Sequence, residues 1–152
     1  MRFYNHINEV LKIDKKLVKK VFSDKNTVEY EARNKIGKEE IFVFVTIKDI
    51  YHNEPTGWDI EFGIETKNDT FISNKIDFSI TLKESIQIFN IIASAVDDFI
   101  RTKKPDKFGF SEQTGMKGGI KLYSKFAKQI IKQYPYKLKI ITNTFIFTRI
   151  DK

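Results

Sequence analysis

Apolar residues recur along the chain with two different periods, and the switches between those periods divide it into elements. Val10 to Phe22 (VLKIDKKLVKKVF) sets apolar positions 10, 11, 17, 18, 21 and 22 among lysines. That spacing predicts an amphipathic helix, with Asp14 placed to cap its second part. Asp24-Lys25-Asn26 then reads as a turn. Thr27 to Asn34 predicts a polar strand, with Ile36-Gly37-Lys38 turning the chain. Glu40 to Lys48 (EIFVFVTIK) is apolar at nearly every position, which predicts a central strand covered on both faces. His52 to Gly57 (HNEPTG) is a loop. After it, Trp58, Ile60, Phe62 and Ile64 alternate with Asp59, Glu61 and Glu65, the period of a half-buried strand. Thr70 to Ile80 alternates again through Ile76, Phe78 and Ile80.

The period then lengthens. Lys83 to Thr102 carries a stripe at Ser85, Ile88, Phe89, Ile92, Ala95, Val96, Phe99 and Ile100, the strongest helix in the chain. Thr81 with Glu84 forms a candidate capping box, and Pro105 follows as a stop. Lys107 to Ser111 (KFGFS) is a short strand. Gly115 to Tyr134 predicts a second helix, with Ile120, Tyr123, Phe126, Ala127, Ile130 and Ile131 inward. Lys137–Ile141 and Thr144–Ile150 close the chain as a hairpin around Asn143. The order α-β-β-β-β-α-β-α-β-β implies one α+β domain spanning 1–152, its helices covering a mostly antiparallel sheet.

Composition fits that reading. Fourteen Phe, six Tyr and one Trp give the chain ample material for a core, and only three Pro and seven Gly interrupt it. Zero cysteines remove disulfides and thiolate metal sites, as expected of a reducing compartment. The N-terminus has no uninterrupted apolar h-region, and no stretch approaches the ~20 apolar residues of a membrane span. The expectation is a soluble cytoplasmic protein with no membrane partner.

Charge sharpens the picture more than composition does. The formal net charge of +7 is unevenly spread. Residues 1–26 hold seven Lys/Arg against three Asp/Glu, residues 27–100 seven against fourteen, and residues 101–152 thirteen against three. The basic character therefore sits at the two ends and the middle is acidic. Segregation of this kind shapes association, or else lets ends and middle neutralise each other within the domain.

Within the basic end, Lys117, Lys121, Lys125, Lys128 and Lys132 recur at helical steps and project from one side of the second helix. Such a row is either a solvated helix back or a surface for phosphates, joined by Arg101, Lys103, Lys104, Lys107, Lys137 and Lys139. No aromatic residue is interleaved on the lysine face to stack bases. Other candidate chemistry is thinner. His52, beside Glu54 on a loop, has the makings of a general base, but one His and one Glu are far from specific. A chain with two His and no Cys lacks the ligands for zinc, so no metal is expected. Asp97 and Asp98, with Asp77, suggest a divalent-ion cluster, yet adjacent helix positions diverge by about 100°, which favours a polar helix face. Gly115, Gly118 and Gly119 invite a phosphate-loop reading, although their spacing matches neither the P-loop nor the dinucleotide pattern.

Two resemblances come from the C-terminal half. Strands, helix, strand, helix and terminal hairpin, with Leu122-Tyr123 in KLYSKF on the last helix, resemble the GNAT-type N-acetyltransferases. The resemblance implies Tyr123 as general acid to a departing thiolate, with acetyl-CoA as cofactor. The family's glycine-containing coenzyme loop would fall at SITLKESIQIF, Ser79 to Phe89, which holds no glycine. FIRTKKPDKFGFSEQTGMKGGIKLYSKFAK, Phe99 to Lys128, is similar to small uncharacterised bacteriophage proteins sharing a helix, a proline, an F-x-F strand and a helix with L-Y. That similarity implies a phage-encoded accessory protein in the host cytoplasm.

Three functional expectations result. The first is a non-catalytic protein that binds an acidic partner, nucleic acid or a host protein, through the lysine row and without a cofactor. The second is a divergent acyltransferase using Tyr123. The third is a virion or assembly component, for which self-association matters.

Overall fold

The computed structural model describes residues 12–36, 39–50, 57–65, 70–71, 82–111 and 119–150. They form β1 (Lys19–Ser23), β2 (Thr27–Ile36), β3 (Glu39–Asp49), β4 (Trp58–Glu65), β5 (Thr70–Phe71), α1 (Leu82–Lys103), β6 (Lys107–Ser111), α2 (Gly119–Gln133), β7 (Tyr136–Ile141) and β8 (Thr144–Arg149). The fold is α+β, one domain in two layers. Its sheet runs β1-β2-β3-β4-β6-β8-β7, with β5 paired to the end of β4. All neighbours are antiparallel except β4 and β6, which run parallel and meet at Trp58↔Phe108 and Asp59↔Gly109.

Strand alternation decides what each sheet face does. Val28 and Tyr30 of β2, Val45 and Ile47 of β3, and Ile60 and Phe62 of β4 turn to one face and are buried. Phe108, Phe110, Phe145 and Phe147 continue that face through β6 and β8. Both helices pack on it. Trp58 and Phe108 each meet Phe99 of α1 edge-on, at 5.2 and 5.9 Å between ring centroids. Phe110 stacks on Phe126 of α2 at 5.5 Å. Such pairs add about 0.5–1.5 kcal/mol each beyond the area they bury.

The first predicted helix is corrected. Residues 15–17 make a single 3-10 turn, and Lys19–Ser23 extends as an edge strand against β2. Asp14 does cap the turn, its carboxylate accepting from the Lys16 amide at 2.9 Å. Paired apolar residues separated by lysine pairs fit a helix period, but the ladder to β2 satisfies the backbone and leaves Val21 and Phe22 about half exposed. A short run carries too little period to resist a strand partner. The Asp24 turn forms as read, its carboxylate accepting from the amides of Asn26 and Thr27.

β3 lies centrally between β2 and β4, but only one of its faces is covered by a described element. On the other, Phe42 and Phe44 are half-buried, 5.9 Å apart, with the Arg33 guanidinium 4.6 Å over Phe42. Those local contacts explain an apolar run that suggested burial on both sides. The Thr70–Ile80 strand is described only as Thr70–Phe71, and Ile76, Phe78 and Ile80 lie outside the described residues, as do Ile36-Gly37-Lys38's last two positions and Thr81.

α1 and β6 follow their predicted spans closely. Lys104 closes α1 in the left-handed region at φ 47, and Pro105 prevents continuation. The link is pinned to the terminal hairpin: the Tyr136 hydroxyl donates to the Pro105 carbonyl at 2.6 Å and Arg149 to that of Lys104 at 2.8 Å. Burial pushes the Tyr136 phenol up to about 12. In β6, Gly109 is required by its neighbour, because a Cβ there would sit 2.6 Å from the Phe145 carbonyl oxygen.

Candidate binding surface

α2 is two-faced for a simple reason. Tyr123, Phe126, Ala127 and Ile130 recur at steps of three and four and are buried against the sheet. At ~100° per residue, Lys125, Lys128 and Lys132 fall within about 60° of one another and about 180° from that stripe. Lys128 and Lys132 are exposed and Lys125 is half-buried. Lys121 lies on the same helix, its side chain outside those described, and Lys117 lies outside the described residues. The segment from Gly119 to Ile150 contains no Asp or Glu. Among the described residues, no acidic group pairs with Lys128 or Lys132.

The wider basic patch suggested by the sequence is divided by the fold. Lys107, Lys137 and Lys139 share the sheet face opposite the helices, as the registers Lys107↔Thr148 and Lys137↔Thr148 require. They cannot form one surface with the α2 row. Arg101 and Lys103 are engaged within the domain. Arg101 Nε donates to Asp97 Oδ2 at 2.9 Å. Lys103 Nζ donates to the Asp24 carbonyl at 2.8 Å and lies 5.9 Å over the Trp58 ring.

Asp97 and Asp98 belong to a structural network. Asp98 Oδ2 accepts from the Tyr30 hydroxyl at 2.7 Å and pairs with Lys20 at 3.0 Å, while Arg101 reaches its other oxygen at 4.0 Å. Burial pushes the Asp98 carboxyl up, but the hydrogen bonds from Tyr30 and Lys20, and the charges of Lys20 and Arg101, outweigh it and hold it below the usual range. Burial and the Asp98 carboxylate together drive the Tyr30 phenol far upward. Here the basic N-terminal segment neutralises part of the acidic middle. Sequence reasoning missed Tyr30 and Lys20, which are 68 and 78 positions from Asp98. Among the described residues no group of three His, Cys, Asp or Glu could hold a metal ion.

Tyr123 has no exposed surface. Its ring stacks on Phe62 at 5.9 Å and meets Phe89 edge-on at 5.2 Å, with Phe110 at 5.9 Å and Phe145 at 6.3 Å. It stands beside the β4–β6 junction, enclosed by rings from three strands and α1. His52, Asp77, Gly115 and Gly118 lie outside the described residues, as do Ser79 to Thr81 of the glycine-free junction. Gly119 is the first residue of α2.

The gap between α1 and α2 beneath Ile13 and Tyr134 is about 10 Å³, no more than one water. An open groove of about 310 Å³ runs beside β1 and β2, where Lys16, Lys19 and Arg33 surround Glu31. No described helix is long and apolar enough to cross a membrane. A scan of family models, a search of curated proteins and a search of solved structures each find no match to this chain.

Proposed function

We propose that the protein acts by binding, without catalysis, and that α2 grips a polyanionic partner, a nucleic acid held through its phosphates. The observation that supports this reading is the direction of the lysine row. Lys128 and Lys132 are exposed on the side of α2 away from the core, in a segment with no acidic residue, and no described acidic group pairs with either. From Lys121 to Lys132 the row runs about 16 Å along the helix, at ~1.5 Å per residue. Lysine is a compact point charge suited to phosphate. The face carries no aromatic stack, so contact goes to the backbone and base sequence matters little.

Anisotropy with a labelled DNA duplex tests this. Three or four phosphate contacts give a log–log salt slope of roughly −3. The variant Lys121→Glu/Lys128→Glu/Lys132→Glu should lose binding while keeping its unfolding midpoint. Undiminished binding by that variant, or none by the native chain at low salt, sinks the reading; in the latter case an acidic protein takes the partner's place.

One observation favours a second reading, a divergent acyltransferase of the N-acetyltransferase type. The parallel β4–β6 contact joined through α1, followed by α2 and the terminal hairpin, has the element order on which that resemblance rests. Tyr123 would then be the general acid, and the surrounding rings would have to part before a thiolate could reach it. Acetyl-CoA producing neither heat nor a thermal shift would exclude this reading, since a bound cofactor raises stability by mass action.

A further inference from the structure

β1 and β7 stand at the two ends of the strand order. β1 is interrupted by a bulge between Lys20 and Phe22, whereas β7 keeps unbroken register with β8 from Tyr136 to Ile141. No described strand pairs with the outer side of β7. Which of its main-chain groups face outward follows from alternation. The Ile150 amide donates to the Pro135 carbonyl at 2.8 Å, in the register that continues into Tyr136↔Arg149. Residues 137, 139 and 141 therefore hydrogen-bond to β8, and the N–H and C=O of Leu138 and Ile140 turn outward.

Side chains along that edge are sorted by layer. Leu138 and Ile140 lie on the helix side, across from the buried Phe147 and Phe145. Leu138 is partly buried, and Ile140 is 53% exposed. Ile131 of α2, also exposed, joins them. Gln129 and Gln133 line the gap toward α1, and at ~100° per residue Ile131 falls on the opposite flank of α2, the one over β7. On the other layer stand Lys137 and Lys139, both exposed. The edge thus offers main-chain hydrogen bonds, an apolar ledge and two cations in separate rows.

We propose that β7 takes up an extended segment of a partner protein as a further strand, one in which apolar residues alternate with acidic ones. Alternation sets the apolar residues against Ile131, Leu138 and Ile140 and the acidic ones against Lys137 and Lys139. From Gly119 to Ile150 the chain has no Asp or Glu, so nothing in that stretch repels a carboxylate. A second copy of the chain is a poor occupant. The two longest overlaps of β7 with another β7 set Lys137 opposite Lys139, or Lys139 opposite itself, and like charges directly opposite destabilise a strand pair. The lysines therefore guard the edge against self-pairing and select an acidic strand. A nucleic acid satisfies the lysines but leaves the ledge and the outward N–H and C=O groups unanswered. This role is separate from the α2 reading: its variants leave the α2 lysines intact, and its probe carries no phosphate.

Fluorescence anisotropy of a short labelled peptide alternating glutamate and valine, titrated with the full chain, is the test. Saturable binding below about 1 mM is expected. A peptide of the same composition with its glutamates and valines in separate blocks should bind at least about tenfold more weakly, as should one N-methylated on every residue. Lys137→Glu/Lys139→Glu should lose about tenfold for the glutamate peptide and gain binding to a lysine–valine counterpart. Ile140→Pro removes an outward donor that the fold does not use, and should weaken binding by a similar factor. Circular dichroism matching the native spectrum establishes that each variant is folded. Absence of saturable binding by the native chain overturns the proposal. Equal binding of the blocked and alternating peptides overturns it too, and makes the edge a plain polyanion site. The peptide comparisons on the native chain decide the matter without the variants.

Discussion

α1 and α2 are both charged helices packed on one sheet face, yet their charges have opposite fates. On α1, Asp97 and Asp98 are tied to Arg101, Lys20 and the buried Tyr30 hydroxyl, so the acidic turn holds β1 and β2 to the helix. On α2, Lys128 and Lys132 face solvent with no acidic partner among the described residues. Charge therefore serves cohesion in one helix and is left available at Lys128 and Lys132 in the other. What distinguishes the two is reach: Lys20 and Tyr30 come over α1 from neighbouring strands, while β6, β7 and β8, which lie beneath α2, carry no acid.

The comparison can be broken at graded cost. The largest effect belongs to the inward side of α2. Phe126→Ala should cost about 3–5 kcal/mol, by transfer and cavity terms, in a chemical denaturation experiment. Asp98→Ala should come next, at about 2 kcal/mol. It removes the acceptor of a fully buried hydroxyl, and an orphaned buried donor costs about 1–3 kcal/mol. A loss below about 0.5 kcal/mol would mean that the network adds nothing to cohesion.

Acid titration sharpens the same point. In the folded chain the Asp98 carboxyl titrates below its ordinary value of 3.8. Its contribution is complete above that value and is lost as pH falls through the lower folded one. Unfolding free energy should therefore drop below about pH 4, and Asp98→Asn should flatten that part of the profile. The smallest effect belongs to the outward side of α2. Lys128→Glu/Lys132→Glu should change stability by no more than about 0.5 kcal/mol, as exposed substitutions do. A larger loss would show that the row helps hold the fold after all.

Legibility in the sequence followed how local each determinant is. α1 was readable almost to the residue because twenty positions of apolar stripe, a proline stop and a long period agree. β6 and the terminal hairpin were bounded by Pro105 and the Thr142–Asn143 turn, where Thr142 takes φ 55. The stretch 15–23 was misread because its apolar pairs fit two periods and only β2 settles which one wins. Phe42 and Phe44 suggested a strand covered twice, since nothing local reports that no described layer lies above them. The lysine row was visible as a row. Its separation from Lys137 and Lys139 was not, because helix and strand lysines look alike until the layers are built.

The sequence by itself determined the class of fold, the inward stripes of both helices except at Ile131, which is exposed, and the uneven charge, all set by neighbours within a turn or a strand. Tertiary structure alone decided that β8 enters between β6 and β7, that Lys20 and Tyr30 converge on Asp98, and that β7 is left at an edge of the sheet. Those outcomes depend on pairings between residues tens of positions apart, and no local period encodes them.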